Sequence, residues 1–228
     1  MTDHARIYVE EAEKYHLLIS KQPLLHDVIE EIKPLKGLYV VDVGAGTGRL
    51  TVALAPLVKS VIALDASAEM LAVTAERLKQ KGLRNWQTHI ADHRYLPIKD
   101  NSADLVVAGW TVAYIANDEV KDGALNLQET IAEMKRILRP GGTIIIFETM
   151  GTGETAPNPP DMLKGYYKRL QEEYGFAHRW IRMDYQFESV QQALELTQFF
   201  FGDEWAEKVK QSQSSVVPEC AGIWWLHV

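Results

Sequence analysis

The sequence has little cysteine, no long apolar run and no excess of positive charge, and each shortage excludes a class of protein. Cys220 is the one cysteine among 228 residues, so an intrachain disulfide is impossible and a cysteine-based metal cluster is not expected. No apolar run approaches the roughly 18 residues of a membrane-spanning helix, and the N-terminal residues lack the apolar segment of a signal peptide. We therefore expect a cytoplasmic protein without a bound metal.

The charge balance is acidic. Lys and Arg total 24, Asp and Glu total 31, and the formal net charge is −7. Such a chain does not attract nucleic acid by bulk electrostatics. We expect a small-molecule partner, neither a nucleic acid nor a membrane. The composition does not indicate an oligomeric state.

Short apolar runs alternate with helical patterns through the middle of the chain. Five strands are predicted, at residues 38–43, 61–65, 85–90, 103–108 and 143–148. Helices are predicted at 49–55, at 67–81 and around 127–138, and the last of these ends at the turn 139–142. This alternation predicts an α/β protein with a doubly wound sheet that is buried on both faces.

The two flanks differ from this core. Residues 1–35 are expected to form a helical cap. Residues 150–228 contain 13 of the 21 aromatic residues and open with a Gly- and Pro-rich loop. Further patterns there predict helices at about 161–173, 189–200 and 203–211, with strand-like runs at about 178–187 and 221–228. We predict one domain, 1–228, made of a cap (1–35), a cofactor-binding core (36–149) and an acceptor-side lid (150–228).

A glycine turn follows the first predicted strand. Glycines occupy positions 44, 46 and 48, directly after Asp42-Val43. A dinucleotide fingerprint needs a glycine where Arg49 stands, and the carboxylate of Asp42 would repel a diphosphate. The same carboxylate suits a ligand that carries an ammonium group, although a glycine turn alone is also compatible with a simple tight turn.

Two more carboxylates end the next two strands. Asp65 lies 19 residues beyond Gly46, close to the spacing at which a carboxylate binds ribose hydroxyls. Asp92 follows the third strand, where a carboxylate can accept a hydrogen bond from an exocyclic amine. The alternatives are a helix-capping role for Asp65 and a turn role for Asp92. Because strand ends meet at one edge of a parallel sheet, the three carboxylates together predict a ligand site.

With these motifs the sequence resembles the class I S-adenosylmethionine-dependent methyltransferases. Similar segments are Val40–Gly48, Ala63–Ser67 with Met70-Leu71, Asp92 with Leu96-Pro97, Asp100–Val106 and Leu138–Gly142. The resemblance covers about residues 36–149. It implies a Rossmann-like, mainly parallel sheet of seven strands, with the last two taken from residues 150–228 and the final one antiparallel.

The resemblance also implies S-adenosyl-L-methionine as cofactor and a set of residues around it. The glycine turn and Asp42 would meet the methionine moiety, Asp65 the ribose, Ala66 and Met70 the adenine, and Asp92 with His93 its amine edge. Tyr15, on the helix before the core, would cover the sulfonium. The predicted cofactor-binding residues are Tyr15, Asp42, Gly44, Ala45, Gly46, Asp65, Ala66, Met70, Asp92, His93 and Gly109.

The function predicted from this resemblance is methyl transfer to a small molecule. Methylation of a tRNA or protein and non-catalytic cofactor binding are the alternatives. A general base is needed only where the acceptor must lose a proton, and His93, Glu148 and His178 are the candidates. Trp110 and Tyr114, after the fourth strand, could wall the acceptor pocket. The N/D-P-P-Y/F signature of amino-directed methyltransferases is absent there.

Overall fold

A seven-stranded sheet forms the centre of the protein, in a computed structural model that describes residues 4–228. The first three residues of the predicted cap lie outside the described residues. The strands are β1 (Tyr39–Val43), β2 (Ser60–Asp65), β3 (Trp86–Ile90), β4 (Ala103–Gly109), β5 (Leu138–Thr152), β6 (Ala177–Arg182), β7 (Tyr185–Gln186), β8 (Val216–Val217) and β9 (Glu219–His227). The sheet order is β3-β2-β1-β4-β5-β9-β6, and β9 runs antiparallel to both neighbours. This confirms the predicted fold.

Helices cover both faces of this sheet. They are α1 (His4–Glu10), α2 (Ala12–Ile19), α3 (His26–Ile32), α4 (Thr51–Leu54), α5 (Ala68–Gln80), α6 (Ala113–Ala116), α7 (Gly123–Ile137), α8 (Asp161–Glu172), α9 (Val190–Phe201) and α10 (Asp203–Ser212). None of the helices within residues 4–228 is both long and apolar enough to cross a membrane.

Alternate residues of the central strands pack into separate cores. Val41 and Val43 of β1 join one buried cluster, with α7 and α8, whereas Val40 joins the opposite cluster, with α3 and α4. β4 and β5 divide their side chains between the same two clusters. Because side chains alternate along a strand, an uninterrupted apolar run is what a strand buried on both faces requires.

Three predicted elements have different bounds in the structure. The predicted turn at 139–142 lies within β5, because Ala103 of β4 already pairs with Leu138 and a register shift follows. Gly141 takes φ +80° there, and its N–H donates to the carbonyl of Val228 at 2.7 Å. The predicted helix at 49–55 contracts to α4, and the strand-like run at 178–187 divides into β6 and β7.

The cap and the lid meet above the carboxyl ends of the strands. Leu18 of α2 packs in a buried cluster with Leu196 of α9 and Val209 of α10. The backbone N–H of Gln186 donates to the carbonyl of Lys21 at 2.8 Å. These contacts place α2 and α9 over the edge of the sheet where the predicted site residues lie.

Candidate active site

The three glycines of the turn have different surroundings. Gly44 has φ +70°, and a Cβ there would lie 2.0 Å from the Oγ1 atom of Thr111. A Cβ at Gly48, which has φ +83°, would lie 2.9 Å from the side chain of Thr74. Gly46 has φ +55° and faces more open space, since its Cβ would meet only the Cε atom of Met70, at 3.4 Å. The turn is therefore packed at its two ends and approachable at its middle.

Helix α5 fixes the backbone of this turn. The hydroxyl of Thr74 donates to the carbonyl of Gly46 at 2.7 Å, and the guanidinium of Arg77 donates to the carbonyl of Thr47. Ser67 caps the same helix by accepting from the N–H of Met70 at 3.2 Å. Met70 and Ala66, the residues predicted to meet the adenine, lie on either side of that cap.

Asp65 lies where the second strand meets the glycine turn. One carboxylate oxygen accepts from the N–H of Gly46 at 2.8 Å, and the other accepts from the N–H of Ser67 at 2.9 Å. The side chain is half-buried, so it is fixed by the backbone yet still reachable. Each carboxylate oxygen retains a further lone pair with which it can accept from a ligand hydroxyl.

Asp42 is buried beneath the turn. Its Oδ2 atom accepts from both the N–H and the hydroxyl of Thr51, at 3.0 and 2.6 Å, whereas its Oδ1 atom is buried without a hydrogen-bond partner within residues 4–228. Burial raises the pKa of Asp42 to about 7, against the opposing effect of the bonds from Thr51. A nearby cation would favour the charged form of this carboxylate.

Asp92 is engaged by its neighbour Arg94. The guanidinium donates to both carboxylate oxygens, at 2.8 and 2.7 Å, and these hydrogen bonds lower the pKa of Asp92 to about 2. The predicted role of Asp92 toward an adenine amine therefore competes with these bonds from Arg94, which the sequence does not reveal.

His93 connects the ends of three strands. Its Nε2 atom lies 2.7 Å from the hydroxyl of Thr111, which itself packs against Gly44. Burial lowers the pKa of His93, so the imidazole is held neutral at physiological pH. His93 thus lies at the turn as predicted, in a hydrogen bond with Thr111. Thr111 itself was missed, because nothing in its local sequence marks it.

Aromatic side chains cover the turn from above. The ring of Tyr15 lies 5.1 Å from the ring of Tyr8 and 5.3 Å from the ring of Phe200, centroid to centroid. The hydroxyls of Tyr8 and Tyr114 are 2.6 Å apart. We expect Tyr15 and Tyr114 near the site. In the structure both side chains contact Tyr8, and the three together cover the turn. Burial raises the pKa of Tyr15, which keeps the ring neutral.

Glu148 is a buried structural acid. Its Oε1 atom accepts from the N–H of Ala113 at 2.9 Å and from the hydroxyl of Tyr166 at 3.4 Å. Burial raises its pKa to about 8, so the group is mostly protonated at neutral pH. The prediction that Glu148 acts as a base therefore conflicts with its raised pKa and with its bond from β5 to the first N–H of α6.

His178 lies away from the site. It pairs with Trp224 across β6 and β9, and its ring stacks on that tryptophan at 4.4 Å. β6 is the edge strand of the sheet and lies four strands from β1, or roughly 19 Å across the sheet at about 4.8 Å per strand. The prediction that His178 acts as a base is not supported by this position.

A charged cluster on the acceptor side was not predicted. The guanidinium of Arg49 lies 3.7 Å from the centre of the Trp110 ring, and Trp110 has φ +54° immediately after β4. Glu219, at the tip of β9, accepts from the hydroxyl of Thr149 at 2.7 Å. Burial lowers the pKa of Arg49, and attraction from Glu219 opposes that shift. From the sequence, Arg49 indicates only that the dinucleotide fingerprint is interrupted, and no contact with Trp110 is predicted.

Two buried atoms of this cluster lack partners. Nη2 of Arg49 and Oε2 of Glu219 are shielded from solvent without a hydrogen bond, and the two side chains do not approach within 4.0 Å of each other in the described residues. A buried polar atom without a partner is unfavourable, so these two atoms are candidates for contact with a ligand. In the part of the chain that the structure describes, no group of three or more potential ligands could hold a metal ion.

The site therefore combines most of the predicted residues. The structure brings together Asp42, the turn 44–46, Asp65, Met70, His93 and Tyr15 at one edge of the sheet. Gly109 ends β4 at the same edge, and a Cβ there would lie 3.1 Å from Leu50. His178 is the predicted site residue that lies apart.

The middle of the chain is similar to known proteins. Residues 41–146 match the family described as a methyltransferase domain. The ubiquinone/menaquinone biosynthesis C-methyltransferase of Cellvibrio japonicus is 33% identical over 155 residues, covering 60% of this chain and 58% of the relative. The malonyl-[acyl-carrier protein] O-methyltransferase of a Marinomonas species is 30% identical over 155 residues, covering 66% and 50%. The chain thus spans about half the length of these curated relatives.

A solved structure extends the likeness to the whole chain. The S-adenosylmethionine-dependent methyltransferase of Aquifex aeolicus aligns with a TM-score of 0.58 at 18% identity, over 99% of this chain and 94% of that one. At that identity the likeness shows the fold. Together with the family match, it confirms the predicted resemblance.

Proposed function

We propose that this chain, whose residues 41–146 form a class I methyltransferase core, transfers a methyl group from S-adenosylmethionine to a small-molecule acceptor. The observation that carries the proposal is the carboxylate of Asp65, held at 2.8 Å by the N–H of Gly46 beside the open middle of the glycine turn. A fixed acceptor next to an approachable backbone suits a ribose-bearing ligand.

The residues at the turn fit this cofactor. The unpartnered Oδ1 atom of Asp42 suits an ammonium group, and Asp65 suits the ribose hydroxyls. Met70 and Ala66 would pack on the adenine, and the ring of Tyr15 would lie over the sulfonium, where a cation–π contact contributes about 0.5–2 kcal/mol. When bound, the cofactor supplies a methyl group on a positively charged sulfur.

The chain's own contribution is to orient the acceptor and exclude water. The cover formed by Tyr8, Tyr15, Tyr114 and Phe200 separates the strand ends from solvent. Orientation of two reactants is worth roughly 7–11 kcal/mol, so methyl transfer needs no further catalytic group unless the acceptor must lose a proton. In that case Glu219 is a candidate base, because its Oε2 atom has no hydrogen-bond partner within residues 4–228 and burial raises the pKa of this carboxyl, which favours its taking up a proton.

A small acceptor suits a site closed by packed side chains. The cap and lid share a buried cluster above the strand ends, which leaves little room for a folded macromolecule. The relatives are named for both C- and O-methylation, so the methylated atom is left open.

Isothermal titration of S-adenosylmethionine and S-adenosylhomocysteine into the protein tests this proposal. Both ligands are expected to bind, and Asp65→Ala is expected to weaken binding at least tenfold. Asp161→Ala, which removes an exposed carboxylate from the lid, is the matched control and should leave binding unchanged. Absence of binding to the unaltered protein, or equal binding to Asp65→Ala, contradicts the cofactor assignment. Binding of a nicotinamide dinucleotide in its place favours a dehydrogenase.

A further inference from the structure

We propose that a groove on the open face of β1, β2 and β3 binds a small organic anion with an apolar body, separate from the methyl donor. The segment that joins β3 to β4, residues 91–102, contains no helix. In a doubly wound sheet the crossover helices cover the strands, so the amino halves of these three strands keep an open face. The groove on this face measures about 630 Å³, and we call it the β3 groove.

The β3 groove lies away from the methyl-donor site. Tyr39 lines it and begins β1, whereas the glycine turn follows the other end of that strand, roughly 17 Å away at about 3.3 Å per residue. In-line methyl transfer needs reacting atoms about 3–3.5 Å apart. Because no residue predicted to bind the cofactor lines the groove, its ligand is neither the methyl donor nor the acceptor.

Apolar side chains line the inner part of the β3 groove. Val41 belongs to the buried cluster that contains α7, and Ile62 and Ile98 pack against that cluster while still lining the groove. Tyr39 is 42% exposed, so part of an aromatic side chain is also open to a ligand. Burial of apolar surface contributes roughly 25 cal/mol per Å², which favours a ligand with an apolar body.

Two unpaired cations lie at the same groove. Arg84 and Lys99 both line it and are exposed, and within residues 4–228 no carboxylate lies within 4.0 Å of either side chain. None of the lining residues in this part of the chain is acidic. Since the whole chain carries a net charge of −7, this local excess of positive charge favours an anionic ligand.

The acidic side chains beside the β3 groove are already paired. Asp104 accepts from the guanidinium of Arg139 at 2.8 Å, and Asp100 accepts from the guanidinium of Arg136 at 2.5 Å. Their charges are offset by these partners, so the two exposed cations of the groove keep their charge for a ligand.

The size of the β3 groove suits a small molecule. Small-molecule sites typically measure about 300–1,000 Å³ and combine apolar walls with a few polar groups. Guanidinium and ammonium groups both bind the oxygens of acidic groups. The expected ligand therefore carries its acidic group beside Arg84 and Lys99 and lays its apolar body on Val41 and Ile62.

Fluorescence titration with 8-anilinonaphthalene-1-sulfonate tests the proposal, with N-phenyl-1-naphthylamine as the matched probe that lacks the sulfonate. We expect Lys99→Glu and Arg84→Glu each to weaken binding of the anionic probe by about three- to tenfold, because each reverses one exposed charge. Binding of the neutral probe should stay within about twofold, since its contacts are apolar. Lys121→Glu, which makes the same change of charge at an exposed loop lysine outside the groove, should leave both probes unaffected.

A further variant tests the apolar part of the β3 groove. Gln87 is exposed on β3 and lines the groove, so Gln87→Trp fills it with a large ring and should weaken binding of both probes. We also expect 1-naphthoate to displace the anionic probe from the unaltered protein.

Three results would overturn the proposal. They are no binding of the anionic probe, equal affinity of Lys99→Glu and Lys121→Glu for it, and probe binding that Gln87→Trp leaves unchanged. A glutamate-rich peptide that displaces the probe at a lower concentration than 1-naphthoate assigns the groove to an acidic protein partner and overturns the small-molecule assignment. The titration contains no methyl donor, so its result is independent of the cofactor proposal.

Discussion

The cofactor side and the acceptor side of the site differ in how their polar groups are satisfied. Both oxygens of Asp65 accept from backbone N–H groups, and the carbonyl of Gly46 accepts from Thr74. On the proposed acceptor side, Nη2 of Arg49 and Oε2 of Glu219 are buried without hydrogen-bond partners within residues 4–228, and beneath the turn Oδ1 of Asp42 is the corresponding atom. The comparison teaches that hydrogen bonds within the protein hold Asp65 and the backbone of the turn in place before any ligand arrives, whereas Asp42 and the proposed acceptor side keep single buried atoms that a ligand can satisfy.

Gly44→Ala is expected to have the largest effect on stability, because it alters the glycine turn that hydrogen bonds hold in place. The added Cβ would overlap Thr111 at 2.0 Å in addition to adopting an unfavourable φ of +70°. We expect a loss of about 3 kcal/mol or more in the free energy of unfolding, measured by urea denaturation. Gly82→Ala is the matched control, since Gly82 has φ +68° with nothing within 4 Å of the added atom.

The Gly82→Ala control should lower the free energy of unfolding by only the cost of placing alanine at a positive φ, about 1–2 kcal/mol. Equal losses in the two variants would contradict the claim that contact with Thr111, rather than backbone conformation alone, requires a glycine at position 44.

Glu148→Gln is expected to change how stability depends on pH. Burial raises the pKa of Glu148 from 4.5 to about 8, so the folded protein binds this proton more tightly than the unfolded chain. Its contribution to stability is complete below pH 4.5 and is lost as the pH rises toward 8, at up to about 1.4 kcal/mol per pH unit. The glutamine variant should show a flatter profile of unfolding free energy between pH 5 and 8.

Glu172→Gln, an exposed lid substitution, serves as the control and should leave that profile unchanged. A profile for Glu148→Gln as steep as that of the unaltered protein would show that Glu148 does not hold its proton through structure, and would restore it as a candidate base.

Changes to the ion pair of Asp92 with Arg94 should have the smallest effect, and it falls on ligand binding. If Asp92 meets the adenine amine, Asp92→Asn weakens S-adenosylhomocysteine binding by about three- to tenfold, the worth of one hydrogen bond. Arg94→Gln removes both guanidinium bonds to the carboxylate, leaves the backbone N–H of residue 94 on Oδ1, and should not weaken binding. Calorimetry on both variants measures the difference, and equal weakening by the two would indicate that the ion pair itself, not the carboxylate, supports the site.

Features encoded in short segments could be predicted from the sequence. The glycine turn, Asp65 and the capping residue Ser67 lie within single strand-to-helix units, so local spacing predicts their positions. The lid helices were also predicted closely, because α8, α9 and α10 follow regular apolar patterns.

Features that depend on tertiary contacts could not be predicted. Arg49 and Glu219 are 170 positions apart and attract each other only because β9 returns antiparallel beside β5. The position of His178 depends on the register of β6, which the sequence does not reveal. The burial of Glu148 requires the packing of Tyr166 from α8 against β5.

A crystal structure of the protein with S-adenosylhomocysteine tests the central claim most directly. We predict ribose hydroxyls about 3 Å from the carboxylate of Asp65, the amino-acid end at the glycine turn, and the sulfur beneath the ring of Tyr15. A ligand bound elsewhere, or bound at this edge without contact to Asp65, would contradict the assignment of this edge as the methyl-donor site.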